Sequence, residues 1–243
     1  MKTIIITGAS GFIGRAIAVA LADEETFLVL HYGGDQERAE ETLKLVEEQG
    51  GQGEIYQADL TDTEACRALI QDTKEKHGQL DGLVNNAGVN RDALAVRMKE
   101  EDYDFVIQVN QKAPFILMQE AGKIMMRQRS GSIVNISSIV GLKGNPGQIN
   151  YAAAKAALIA MSKTLAMELG SRGVRVNCIA PGFIETPMTA ALSEKIQKQI
   201  LKEIPLRRYG QPEEVANLAK FLMSDDAKYI TGQTYSIDGG MNR

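Results

Sequence analysis

Short runs of β-branched and apolar residues recur along the chain: TIIIT (3–7), FLVLHY (27–32), GEIYQAD (53–59), DGLVNNA (81–87), GSIVNIS (131–137), VRVNCIA (174–180) and TYSID (234–238). The stretches between them have helical spacing. In QERAEETLKLVEEQ (36–49), Ala39, Leu43 and Val46 share one face and Glu and Lys fill the other. Gly50–Gly51 then reads as a helix stop, and Thr61–Asp62 as the cap of a further helix carrying Ala65, Leu69 and Lys76. Strand–helix alternation of this kind implies a mostly parallel sheet with helices on both faces. Several of the strands are apolar throughout, as strands covered on both sides are. Neither a repeat nor a linker divides the chain. The expected architecture is one doubly wound α/β domain over 1–243, with seven strands, a cofactor half at about 1–130 and a catalytic and substrate half at about 131–243.

Composition narrows the function classes. The 243 residues are 44% hydrophobic and 24% charged, with a formal net charge of −4, which argues against a nucleic-acid binder. Two cysteines, Cys66 and Cys178, make no disulfide framework and read as buried free thiols of a reducing, cytoplasmic compartment. The apolar runs are too short to span a membrane, and glycines interrupt the apolar start that follows Lys2. His31 and His77 are the only histidines and have no partners at ligand spacing, so no metal site is expected.

The stretch TIIITGASGFIGRAIAVAL (3–21) places Gly8, Gly11 and Gly14 between a strand and a helix that starts near Phe12. Glycine lets the backbone turn sharply and lets a pyrophosphate approach without a Cβ in the way; the helix start offers N–H groups and the positive end of its dipole. Strand, glycines and helix in this order are the dinucleotide-binding arrangement of a Rossmann-type fold.

Further along, Tyr151 and Lys155 stand four apart in the helical INYAAAKAAL, and Ser138 follows the strand SIVNIS. Together with NNAG (85–88), Asn110 in VIQVNQK and APGFIETPM (180–188), this ordered set resembles the short-chain dehydrogenase/reductase family over essentially the whole chain. Within that family, RDALAVRMKEEDYD, GNPGQINYAAAKA, APGFIET and YITGQTYSIDGGM look like its β-ketoacyl-acyl-carrier-protein reductases.

The tetrad's chemistry follows from its residue types. Residues i and i+4 share a helix face, so the Tyr151 hydroxyl and the Lys155 ammonium can meet in one pocket. A free phenol has a pKa of about 10 and can donate its proton to the alkoxide formed when a ketone accepts hydride. An ammonium that closed the roughly three-unit gap to pH 7 would contribute about 4 kcal/mol. Ser138 would polarise the carbonyl. A serine hydrolase is not expected, because no nucleophile elbow surrounds Ser138.

The resemblance implies that Lys155 also holds the nicotinamide ribose and that Asn110 supports a proton-relaying water. It extends the cofactor contacts to Gly8, Ser10, Gly11, Phe12, Ile13 and Gly14, to Asp59 and Leu60, and to Asn86, Ala87 and Gly88. The backbone of Pro181, Gly182 and Ile184, with the Thr186 hydroxyl, would place the carboxamide. The resemblance sets Asp59, at the end of a strand, against the adenine amino group, and its alternative reading is a cap for the helix beginning near 61.

One departure concerns the cofactor. The family's short-chain loop is TGxxxGxG, whereas here Gly11 and Phe12 give TGxxGxxG. Related reductases carry at position 11 an arginine that pairs with the 2′-phosphate of NADPH, and Gly11 cannot do so. A carboxylate ending the second strand, the usual ribose clamp of NAD enzymes, is also missing: the segment reads LHYGGD, and Asp35 falls late. NADPH is the expected cofactor, with NADH open, and His31, Arg15, Arg38 or the N–H groups of Gly33–Gly34 are the candidates for the phosphate.

The resemblance further implies an acyl carrier protein bearing a 3-oxoacyl thioester as partner, docking on Arg129 and Arg172 with Arg127 beside them. Ordinary helix-end arginines are the alternative reading. The apolar AAAKAALIAMSKTLAMEL (152–169) is expected to pack partly on another copy, in a homotetramer. Residues 187–203 read as a loop placed to act as a lid. Reduction of another ketone or oxidation of another alcohol (sugar, polyol or polyketide intermediate) and non-catalytic nucleotide binding are the competing functions.

Overall fold

The computed structural model describes residues 1–187 and 193–242. The seven β-branched runs form one parallel sheet, β1 (Lys2–Ile6), β2 (Thr26–Tyr32), β3 (Gln52–Gln57), β4 (Gly82–Asn85), β5 (Gly131–Ile136), β6 (Val174–Pro181) and β7 (Thr234–Ile237), in the order β3-β2-β1-β4-β5-β6-β7. The order reverses between β1 and β4, which pair directly through Ile4↔Gly82, Ile5↔Leu83 and Ile6↔Val84. That crevice, beyond the carboxyl ends of the strands, is where such sheets take ligands.

Helices cover both faces. In chain order they are α1 (Phe12–Leu21), α2 (Gln36–Glu48), α3 (Thr63–His77), α4 (Glu100–Ile107), α5 (Ala113–Gln128), α6 (Val140–Lys143), α7 (Ile149–Leu169), α8 (Glu194–Glu203) and α9 (Pro212–Met223). Alternation along each strand sorts the core into two layers. Ile5, Val29, Leu83, Ile133 and Val176 pack under α3, α5 and α7 through Leu69, Leu117 and Leu158. Ile4, Ile6, Leu28, Val84, Val134 and Ile179 point the other way, onto Ile17 of α1 and Val215 of α9.

The signals read from the sequence act where it places them, Asp62 capping α3 and Gly50 taking a positive φ just past the end of α2, and Asp35, not read as a cap, caps α2. One expectation is corrected. The lid segment is not wholly a loop, because residues 194–203 form α8, which turns Ile200 inward to a buried position. Met188 to Leu192, including the last residue of APGFIETPM, lie outside the described residues. Among the described residues no helix is long and apolar enough to cross a membrane, and no cluster of metal-ligating side chains occurs.

Candidate active site

The glycine loop leaves β1 at the switch point. Thr7 pairs its N–H with the Val84 carbonyl at 2.9 Å, and its Oγ1 accepts from the backbone N–H of Asn86 (2.9 Å) and Ala87 (3.1 Å). The Asn86 amide donates to the carbonyls of Thr7 and Gly8 at 3.0 and 3.1 Å. This latch fixes the first loop against the end of β4, and nothing in the sequence alone marked Thr7 as its centre. Gly8 has φ +65°, and a Cβ there would lie 2.9 Å from the Ala87 backbone. A Cβ on Gly14 would overlap the Gly8 carbonyl, whereas one on Gly11 would stand 3.3 Å from it.

The N-terminus of α1 differs from those of α2 and α3. No side chain caps it and no acidic residue stands in its first turn, whereas Asp35 and Asp62 close the other two. It is the one of the three open to an anion. A cavity of about 630 Å³ opens in front of it, lined on the loop side by Gly8, Ser10, Gly11, Phe12, Ile13 and Gly14. His31, Asp59 and Leu60 wall one end, and Asn86, Ala87, Gly88 and Thr186 the rest. Gly33, Ala58, Thr61, Val89, Phe105 and Val109 complete the lining; sequence reading had not assigned Ala58, Thr61, Val89, Phe105 or Val109, whose types carry no chemical signature.

Several of these side chains are occupied with the protein itself. His31 accepts the Gly8 N–H at Nδ1 (3.1 Å), so Nε2 at 3.1 Å from the Ala58 carbonyl carries the proton. Burial lowers its pKa, so the ring is neutral and serves as a brace. Asp59 Oδ1 accepts from the backbone N–H and the hydroxyl of Thr61, both at 2.8 Å, which lowers its pKa; the cap of the following helix is Asp62, not Asp59. The Pro181 carbonyl accepts from Ile139 N–H and the Gly182 N–H donates to Ile237, each at 3.0 Å, while Ile184 is buried and bridges to Gly210.

The second half of the site comes from β5 and α7. Ser138 follows the carboxyl end of β5, and its Oγ accepts the Val140 N–H at 3.1 Å. Tyr151 sits in the first turn of α7 and Lys155 one turn later. Ser137 Oγ donates to the Lys155 carbonyl at 2.8 Å, and Gly141 packs so close to Lys155 and Ala156 that a Cβ would reach within 2.7 Å. The helix is thereby locked in register against the strand end.

Burial pushes the Tyr151 phenol up to about 12; the nearby Ser138 hydroxyl acts in the opposite direction, and Asp92 adds to the rise. The expected lowering by Lys155 is absent for a geometric reason. The ammonium donates to the Ile136 carbonyl at 2.8 Å and lies 5.6 Å from the centre of the Tyr151 ring. Burial lowers Lys155 itself to about 8.

Asn110 is fully buried in a five-residue π-turn, Gln108–Lys112, joining α4 to α5. Its Oδ1 accepts the Val89 N–H at 3.0 Å, and its Nδ2 donates to the carbonyls of Val89 (2.8 Å) and Val106 (3.0 Å). A Cβ on Gly88 would meet Asn110 Oδ1 at 2.7 Å and Lys155 Nζ at 3.5 Å. Gly88 is therefore the point at which the Ser138–Tyr151–Lys155 cluster joins the cavity.

Arg129 and Arg172 lie away from this site. Arg129 ends α5 with φ 60°, and a Cβ on Gly173, which follows Arg172, would stand 2.7 Å from its carbonyl. Both precede the amino ends of β5 and β6, at the opposite edge of the sheet from Ser138.

The residues present fit a dinucleotide: an uncapped helix N-terminus, glycines that leave no room for a Cβ, and an adjoining acid–base cluster. A family model described as enoyl-(acyl carrier protein) reductase matches residues 8–242. The chain is similar to 3-oxoacyl-acyl-carrier-protein reductase FabG of Staphylococcus aureus, 48% identical over 99% of this chain and 98% of that one. The protein of the same name from Thermotoga maritima is also 48% identical, over 99% of this chain and 97% of the relative. That of Rickettsia conorii is 50% identical, over 99% and 96%. With its geometry and its sequence in agreement, the chain belongs to the short-chain dehydrogenase/reductase family of nicotinamide-dependent oxidoreductases.

Proposed function

We propose that this protein reduces the 3-keto group of an acyl thioester carried on acyl carrier protein, with NADPH as the preferred reductant. The observation that carries the reading is the Tyr151 hydroxyl with the Ser138 hydroxyl near it and the buried Lys155 ammonium 5.6 Å from the Tyr151 ring centre, a cluster that meets the cavity at Gly88. Two hydroxyls that converge on one point suit a carbonyl oxygen better than an apolar C=C bond. The similarity of the chain to three reductases of that activity supports the carrier-bound substrate.

When bound, the nicotinamide cofactor supplies hydride to the carbonyl carbon. Ser138, its oxygen held by Val140 N–H, orients and polarises the carbonyl. Tyr151 donates its proton to the oxygen as charge builds there. Even with the phenol raised to about 12, an aliphatic alkoxide is the stronger base, so the transfer runs downhill. Lys155, held by the Ile136 carbonyl in this structure, would steady the phenolate only by turning towards the Tyr151 oxygen as charge forms there, and Asn110 holds the loop at Val89 that carries Gly88 past both.

Arg129 and Arg172 stay assigned to the carrier, with a geometric condition. The six residues of β5 put roughly 20 Å between Arg129 and Ser138 of one chain. A carrier seated there serves the cavity of a neighbouring copy, which fits the homotetramer inferred from the family. The docking and the assembly stand or fall together: Arg129→Glu with Arg172→Glu should spoil reduction of carrier-bound substrate and spare a small thioester.

The test of the reaction is NADPH oxidation with acetoacetyl and crotonyl thioesters of the carrier. Reduction of the first alone is expected, and Tyr151→Phe should lose about a hundredfold or more while still binding cofactor by calorimetry. Reduction of the crotonyl thioester alone, or a Tyr151→Phe protein as fast as the parent, would overturn the assignment.

A further inference from the structure

The ribose end of the cavity has neither the arginine in the loop nor the carboxylate at the end of β2 that would declare its nucleotide, and the structure narrows the substitutes. His31 is a neutral brace with both ring nitrogens engaged. Arg15 is spent on α2: its Nη2 donates to Glu41 (2.7 Å) and the Arg38 carbonyl (3.3 Å), and its Nε to Thr42 Oγ1 (3.2 Å). Arg38 remains. Its guanidinium carbon sits 4.7 Å from the centre of the Phe12 ring, and Phe12 lines the cavity while remaining 39% exposed.

The arrangement is held before any ligand arrives. Arg38 lies in the first turn of α2, its N–H capped by Asp35 Oδ1 at 3.1 Å. Thr42 Oγ1, one turn on, lies 2.9 Å from the Arg38 carbonyl and 3.1 Å from the carbonyl of Ala9 in the glycine loop. The loop and the arginine thus move as one body. In front of them Gly33 and Gly34 present no side chain, and nothing lies within 4 Å of where one would be. Among the described residues the carboxylate paired with Arg38 is Asp35, at 4.0 Å across an exposed gap, a weak pair that a dianion can displace.

We propose that Arg38, seated on the ring of Phe12, is the specificity residue that recognises a 2′-phosphomonoester on the adenosine ribose. Phe12 takes the place of the family's glycine and serves as the platform: a planar guanidinium stacks on an aromatic face and keeps its donor edge free for phosphate oxygens. The inference rests on the reading that the cavity takes NADPH, and it names the residues that make it so.

The experiment is calorimetric titration of the full chain with adenosine 2′,5′-bisphosphate and with adenosine 5′-monophosphate, neither of which supports turnover. The parent is expected to prefer the bisphosphate by about tenfold to a hundredfold, the usual worth of a charge-assisted contact. Arg38→Gln should lose that preference and keep its affinity for the monophosphate, which doubles as the control for folding. Phe12→Leu should lose part of it and Phe12→Tyr none. An unchanged preference in Arg38→Gln, or no preference in the parent, overturns the inference. The reductase reading fails separately, through absence of oxoacyl thioester reduction with either cofactor.

Discussion

Burial moves Tyr151 and Lys155 in opposite directions, to about 12 and about 8, and each shift has a measurable result. Lys155 in an unfolded chain keeps its ordinary 10.5. Below pH 8 both states hold the proton, and the folded state bears the cost of a buried charge. Between about 8 and 10.5 the unfolded chain binds a proton that the folded chain has shed, so stability rises with pH through that window. Lys155→Met should therefore hold its largest stability advantage over the parent at pH 7, narrowing by about 3 kcal/mol towards pH 10.5 in urea unfolding. Turnover should fall above pH 8, as the charge that steadies the phenolate is lost. The glycines make a second contrast. Gly14→Ala forces a Cβ onto the Gly8 carbonyl and the Asn86 amide, and should cost about 1–3 kcal/mol along with nucleotide affinity. Gly11→Ala meets that carbonyl at 3.3 Å and should cost much less, which paired melting curves would reveal. Residue types at fixed spacing made Ser138, Tyr151 and Lys155 legible in the sequence. The state of His31 was not, because a histidine's charge depends on carbonyls and N–H groups contributed by distant residues.

The elements carry their functions at their ends. α1 begins without a cap and faces the cavity, while α2 and α3 are closed by aspartates, a difference readable from Asp35 and Asp62 once the helix starts are known. The joint between β1 and β4 was less legible. A hydroxyl at the end of an apolar strand reads as an ordinary strand residue until topology brings the 86–88 backbone beside it. Thr7→Val keeps the shape and removes the acceptor shared by Asn86 and Ala87 N–H groups. A loss of about 1–3 kcal/mol is expected, with faster hydrogen exchange at 86 and 87 than in the parent. The π-turn at Asn110 was also unreadable, since a single widened turn leaves no periodic trace; such turns gather at functional sites. α8 did carry a periodic signal, Ile196, Ile200 and Ile204 four apart among Glu, Lys and Gln, although only Ile200 within the helix is buried.

At the scale of the whole molecule, strand–helix alternation foretold the sheet and its two covered faces, and the two core layers follow from side-chain alternation alone. Assembly is a separate matter. Phe115 and Met126 on α5 and Met167 on α7, the last 78% exposed, leave apolar surface on the outward side of that layer. If copies associate there, Phe115→Glu with Met167→Glu should shift the mass in light scattering towards the monomer. The same sheet joins the two halves of the chain. Cys66, in α3, and Cys178, in β6, are both buried, with thiols pushed up to about 11. With no tryptophan in the chain, those thiols become its natural clocks. A maleimide pulse followed by peptide mass spectrometry would stamp each half when it opens. Matching stamps on both cysteines at every denaturant concentration would mean that the Gly8 end and the Tyr151 end come apart in a single event.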